Sequence, residues 1–387
     1  MSKSAITRIA FGIICAAVIA AGVAGVPASL AAQQPYHVIA KWQIGGASSW
    51  DYVHIDSASQ RLYVSHGQSF EILDAKTGKL LGTVDGLKGS HGVALDAAGK
   101  FGYISDASGI VIFDTKTFAK VKTIPSQYNP DGIVFEPVTK TVWSYNGRTG
   151  GANAIAIDTV TQEVVATIDT PEGRLEAQTA DGKGHVFGNI GGVLARVDAK
   201  TKQIDARWTT GCTSGSGLAY DEVNDRIFQI CRGNKMFAVD AKTGKVLGSS
   251  EIGEGPDGAG YSAKFNLAFA STGDGIITVV DAKAAGYPVL GKIETEVGAR
   301  TMDYDPTTDR LYTITAERDP NVPMPTRLPA PPTPAPGQGP AAPAAPGGPA
   351  AGPGPGGPGP GGPGGPAQAP RPSPYKVDTY HVLVIGR

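Results

Sequence analysis

The residue types able to do chemistry in this chain are scattered, and their spacing decides what chemistry is open to them. His66, His91, Asp51 and Glu176 are types that ligate divalent cations. That task needs three or four donors converging at short distance. No tight ligand spacing links these four, so neither a metal nor any other cofactor is expected. Arg148, Arg174 and Arg300 carry planar forks suited to carboxylates and phosphates. Trp50, Asn146 and Asp257 add an aromatic surface, an amide and a further carboxylate. Asp131 and Asp257 each stand in a Pro-Asp-Gly triplet, at 130–132 and 256–258, where an aspartate ordinarily caps a turn. No CxxCH, GxSxG, P-loop or HExxH signature occurs, so no catalytic residue is assigned.

Two cysteines admit a different reading. Cys212 and Cys231 flank a hairpin that turns near 221–224 and fall within a position or two of facing each other across it. A disulfide between them is expected, provided the Cα separation suits it. The third cysteine, Cys15, lies in an apolar stretch near the N-terminus and is not preceded by the small residue that a lipidation site needs.

The elements that must position these residues follow from a repeat. An apolar pair followed by aspartate recurs at Asp74, Asp114, Asp158, Asp198, Asp240 and Asp281, about every 40–44 residues. Around these lie LDAKTGKLLGTV (73–84), FDTKTFAKVKTI (113–124), IDTVTQEVVATI (157–168), VDAKTKQIDARW (197–208) and VDAKTGKVLGSS (239–250). The aspartate can hydrogen-bond the backbone two residues on, and a glycine accepts positive φ where the turn exits. A second hairpin precedes each copy, as in VALDAAGKFGYISD (93–106) and MDYDPTTDRLYTIT (302–315). Four short strands per unit, a to d, define a β-propeller blade.

The expected fold is therefore all-β: a seven-bladed β-propeller with four-stranded antiparallel blades. The seventh unit has its third strand only at YHVLVIGR (380–387), and the unassigned YHVIAKWQI (36–44) fits as its fourth. Pairing the N-terminal strand with the C-terminal strands closes the ring and removes a sheet edge. In such a ring the connections between blades share one face with those joining strands b and c. Trp50, Asp51, His66, His91, Asn146, Arg148, Arg174, Glu176, Asp257 and Arg300 are expected there, as a ring of ligand-binding residues, and Gln68, Asp131, Asn189, Arg232 and Arg318 fall on the same face.

The repeat copies 73–84 and 239–250, with Pro-Asp-Gly ahead of strand a, resemble the YncE-like, or YVTN-repeat, family of seven-bladed propellers over 36–318 and 376–387. The resemblance implies an exported propeller; some members are related to lactonases and to propellers of redox enzymes. A lactonase-type site would need a carboxylate–amide metal constellation, for which Glu176, Asn146, Asn189 and Asp257 are the available residues.

Two segments stand outside the repeat. Residues 1–31, with Lys3 and Arg8 ahead of the uncharged run Ile9 to Ala24 and small residues after it, read as a signal peptide. The propeller then spans 32–319, a Pro/Gly/Ala-rich insert 320–374, and the last strand 375–387. The insert is too poor in large apolar residues to offset its ordering entropy, so disorder is expected of it. No further segment is long enough to span a membrane. A net charge of −1 lacks the basic footprint of duplex nucleic-acid binding. The leading expectation is a periplasmic or secreted, monomeric, non-catalytic binding or scaffold protein. Its partner would be a protein or a small anionic ligand. The alternative is a metal-dependent lactonase-type hydrolase with its site at the channel mouth.

Overall fold

The aspartate turns that mark the repeat are what hold each outer hairpin together. Asp74 Oδ1 accepts from the Thr77 backbone N–H at 2.8 Å and the Thr77 hydroxyl at 2.7 Å. Asp114, Asp158, Asp198, Asp240 and Asp281 take the same backbone donor three residues on, at 2.8–2.9 Å. Gly78 leaves the turn at φ 72°. A Cβ there would land 2.3 Å from the Trp42 ring of the preceding blade, so the glycine admits an aromatic neighbour as well as the left-handed backbone. Three copies lack the glycine, and Phe118, Gln162 and Lys202 take the left-handed position at φ 57–60°. The turn outweighs the residue's own preference.

The computed structural model describes residues 35–46, 49–147, 151–170, 173, 175–323 and 373–387. One compact unit runs from Tyr36 to Gly386; of the other, Met1–Pro35 with Arg387, only Pro35 and Arg387 are described. The signal-peptide reading and nearly all of the insert lie outside the described residues. The described residues form 28 strands in seven four-stranded antiparallel sheets, with no helix among them. Blade one is Val53–Asp56, Arg61–His66, Ser69–Asp74 and Leu80–Asp85, from the channel outward. The innermost strand of every blade touches its counterparts on both sides, and Met302–Asp305 of blade seven meets Val53–Asp56 of blade one. The ring is closed.

Closure uses the chain ends. His37–Gln43 pairs antiparallel with His381–Gly386, which pairs with Arg310–Thr315 and then Met302–Asp305. The register sets Trp42 opposite Val382. Seven apolar clusters fill the seven gaps between neighbouring blades. Tyr63 and Phe70 of blade one, for example, pack with Ile104 and Phe113 of blade two. Burying such rings contributes on the order of 2–3 kcal/mol each, so the interfaces between blades carry the fold. Strands d show the opposite pattern, with Leu80, Val121, Val164 and Leu247 exposed on the rim.

Candidate functional site at the channel mouth

Where each connection enters strand a, one residue per blade stands at the mouth: Asp51, His91, Asp131, Glu176, Ser216, Asp257 and Arg300; Asp131, Glu176 and Ser216 are buried, and the Ser216 hydroxyl donates to the Pro256 carbonyl. The residue after each of the seven lines the central channel, a cavity of about 570 Å³. These positions converge because the innermost strands run close together. Gly217 and Gly258 follow two of the ring residues, and a Cβ on either would sit 2.5–2.7 Å from backbone atoms of the next blade. The glycine of the Pro-Asp-Gly triplet at 256–258 is a close-approach residue.

Hydroxyls pin the ring's peptide groups in place. Ser65 Oγ accepts from the Asp51 N–H at 2.7 Å, and Thr301 of blade seven donates to the Asp51 carbonyl at 2.5 Å. Ser105 of blade two donates to the Asp131 carbonyl, and Ser271 of blade six to that of Arg300. Blades seven, two and six thus each fix a ring residue of the next.

The side chains form three charged groupings. His91 Nδ1 lies 2.6 Å from Asp51 Oδ2 and 3.8 Å from Asp131 Oδ1. Arg300 Nε lies 2.5 Å from Asp257 Oδ2. The Asp257 carboxylate lifts the Arg300 guanidinium above its ordinary range; burial works against that shift and Asp51 adds to it. Glu176 meets Arg232 at 3.6 Å. The two described arginines of the mouth are each held by a carboxylate, and Arg148 and Arg174 lie outside the described residues.

Three expected ring residues turn elsewhere. Asn146 is buried, accepts from the Ser144 hydroxyl at 2.7 Å and donates to Asn153 at 2.9 Å, within its own hairpin. His66 Nδ1 pairs with Glu71 at 2.9 Å, and the His66 ring lies against Tyr380 with centroids 4.4 Å apart. Burial, with the charges of Glu71 and Asp51 adding, holds the Tyr380 phenol well above its usual range. Trp50 stacks on Tyr380 and meets Tyr375 edge-on, sealing the boundary of blades seven and one. Tyr375 in turn bridges Arg318, so the two ends of the insert meet on this face. Asn189 is also absorbed, in a buried chain from Thr210 through Gln229 to the Ser216 carbonyl. Asn146 is thus engaged within its own blade and Asn189 by blade five, where the carboxylate–amide constellation would have needed both.

Sequence reasoning missed one ring member, Ser216, which carries no charge to draw attention; it places Asp131 on this face but reads it, like Asp257, as a turn cap. The signal that finds Ser216 is the repeat itself, aligned at the residue before the channel-lining position. The expected disulfide is present: Cys212 and Cys231 are joined with Cα atoms 5.6 Å apart, both buried. Outside the mouth, His185 pairs with Asp181 at 2.7 Å, and its ring lies in a second grouping with Asp198 and Asp205 on blade four. No helix among the described residues is long and apolar enough to cross a membrane.

No family model matches the sequence, and no curated protein matches it. Solved structures do match, and they define the class: a β-propeller. The WD40 repeats of RRP9 align with a TM-score of 0.62 at 11% identity, over 70% of this chain and 88% of that one. A chain of the mitotic checkpoint complex aligns at 0.64 and 12% identity, over 79% and 95%. Hydrazine synthase of Kuenenia stuttgartiensis aligns at 0.58 and 16% identity, over 70% and 94%. At these identities the likeness is one of fold.

Proposed function

We propose that this chain is a non-catalytic binding propeller that engages a protein partner across the face bearing the channel mouth. One contrast within the repeat carries the reading. The outer-turn aspartate is the same in six blades, because one turn must be capped the same way each time. The mouth position reads Asp, His, Asp, Glu, Ser, Asp and Arg around one opening. A position free of a shared structural task has diverged into a set of distinct polar contacts, as recognition requires.

Charge then says what enters. Four carboxylates of the ring stand against one histidine and the two described arginines, Arg300 and Arg232, each already paired. The mouth therefore favours a basic segment of the partner over the anionic ligand expected from the arginines. The same reading assigns the chain to the YncE-like, or YVTN-repeat, propellers on its repeat residues. It also has residues 1–31 removed on export to the periplasm or beyond, which the Cys212–Cys231 bridge supports.

The test is calorimetric titration of the full chain, in chelator, with an arginine-rich peptide and with a glutamate-rich one. The basic peptide should bind, and Asp131→Asn with Asp257→Asn should weaken it about tenfold. Equal or tighter binding of the acidic peptide would overturn the reading. A metal-dependent lactonase-type hydrolase is a second reading, favoured by one observation: the convergence of Asp51, His91 and Asp131 at the mouth. Hydrolysis of a simple lactone that needs added metal and is lost in His91→Gln would establish it.

A further inference from the structure

Three consecutive blades bring their ring residues into one grouping. Asp51, His91 and Asp131 present one oxygen or nitrogen donor each, and these atoms all lie within 4.8 Å of one another. Asp131 is 1% exposed, and the Asp51 and His91 side chains are 18% and 19% exposed. We propose that these three side chains bind one divalent first-row transition cation of the zinc class at the channel mouth. The inference stands apart from the partner-binding reading, since it needs neither a partner nor turnover.

The donor set selects the ion. One imidazole nitrogen with two carboxylate oxygens suits zinc and its neighbours, whereas calcium and magnesium favour oxygen alone. Zinc bonds to such donors are about 2.0–2.2 Å, which sets tetrahedral donors about 3.3 Å apart. The His91–Asp51 separation of 2.6 Å must open and the His91–Asp131 separation of 3.8 Å must close. The changes are about 0.7 Å and 0.5 Å, within the reach of side-chain torsions on a fixed backbone. The backbone is fixed: Ser65 and Thr301 hold the Asp51 peptide groups, and Ser105 holds that of Asp131.

A neighbouring side chain suits the imidazole to the task. Asn129 Nδ2 lies 3.3 Å from His91 Nε2, on the side of the ring away from the carboxylates. On binding, Nδ1 gives its proton to solvent and Nε2 takes one up from solvent, so that Nδ1 ligates the ion and the Nε2–H donates to the turned amide oxygen of Asn129, which orients the ligand. Two carboxylates balance the charge of the ion. Arg300, whose charge is felt by Asp51, is bound to Asp257. Three protein ligands leave a coordination position for water or an incoming group.

The experiment is titration of the full chain with zinc by calorimetry, and with cobalt(II) followed by its visible absorption. One ion per chain is expected, with His91→Gln and Asp131→Asn each weakening uptake about 100-fold. Asp205→Asn, in the separate His185–Asp198–Asp205 grouping, should leave that uptake unchanged. Absence of stoichiometric uptake, uptake unaltered in His91→Gln, or loss of uptake in Asp205→Asn would overturn the site. Thermal unfolding confirms that each variant folds; His91, being partly exposed, carries the test if Asp131→Asn does not. The peptide titrations are run in chelator, so failure here leaves the partner reading standing.

Discussion

Arg300 of blade seven and Asp257 of blade six form an ion pair across their boundary, Nε to Oδ2 at 2.5 Å. The pair removes one positive and one negative group from what the mouth can offer. The guanidinium is 37% exposed, so its contribution to stability is small, on the order of 0.2–1 kcal/mol. Its larger effect is on charge. Arg300→Met should shift the unfolding midpoint little and tighten binding of an arginine-rich peptide several-fold, since Asp257 is released. Calorimetry at low and high salt checks both parts, and the gain should shrink as salt screens the mouth.

A different outcome is expected for the buried pair on blade five. Asp221 is fully buried and takes Arg226 Nε at 2.8 Å and Nη2 at 2.5 Å. Arg226 also donates to the Ala282 carbonyl at 2.6 Å, and its guanidinium lies over the Phe228 and Tyr287 rings. Burial raises the Asp221 pKa, but hydrogen bonds from Asn224 and Arg226 outweigh it and leave the carboxyl below its usual range. Arg226→Met strands that carboxylate and should cost about 3–5 kcal/mol, read from denaturant unfolding. Adding Asp221→Leu should recover much of the loss, because both polar partners are then gone.

The architecture was legible because one turn is written six times. Asp74 and its counterparts bond the same backbone N–H, so residue identity tracks geometry directly. The half-blade at each chain end was legible for the same reason, since YHVIAKWQI and YHVLVIGR each lacked a partner in their own stretch of sequence. The mouth was only partly legible. Asp51, His91, Glu176, Asp257 and Arg300 follow from their place ahead of strand a. His66 and Asn146 do not, because each has a partner just across its own b–c turn, Glu71 and Asn153. Sequence position puts a residue at that turn without saying whether its side chain faces the mouth or folds back into the hairpin. Asp131 follows from the same rule, but its Pro-Asp-Gly context, shared with Asp257, reads as a turn cap and does not show that its carboxylate approaches His91 while Ser105 holds its carbonyl.

His54 makes stability depend on pH. Its Nδ1 lies 3.0 Å from Asp303 Oδ2, an acceptor that also takes the Ile55 N–H. Burial opposes the imidazolium, but the hydrogen bond and charge of Asp303, with Asp56 adding, leave the folded pKa above 6.5. A group whose pKa rises on folding binds its proton more tightly in the folded state. Its contribution is complete below about pH 6.5 and is lost as pH climbs through the higher folded value. The difference in stability between the parent chain and His54→Gln should therefore be larger at about pH 5.5 than at about pH 8. Equal differences at both, in urea unfolding, would remove His54 from the pH profile.

The disulfide ties the connection entering blade five to the end of that blade's second strand, spanning 19 residues of sequence. Both cysteines are buried on the mouth face, and Arg232, next to Cys231, is the residue that holds Glu176. Cross-linking a loop of this length restricts the unfolded chain and stabilises the fold by about 3 kcal/mol. Cys212→Ser with Cys231→Ser should lose about that much, and reductant should lower the parent chain to the same midpoint. The innermost-strand contacts on either side do not pass through the bridge, so the ring should stay closed in the variant. The ring can therefore be probed separately from the bridge. Peptide binding at the mouth should weaken only as far as Glu176 and Arg232 lose their alignment. A variant that kept its full unfolding midpoint would show that strand pairing at Gly215 and Cys231 alone fixes this corner.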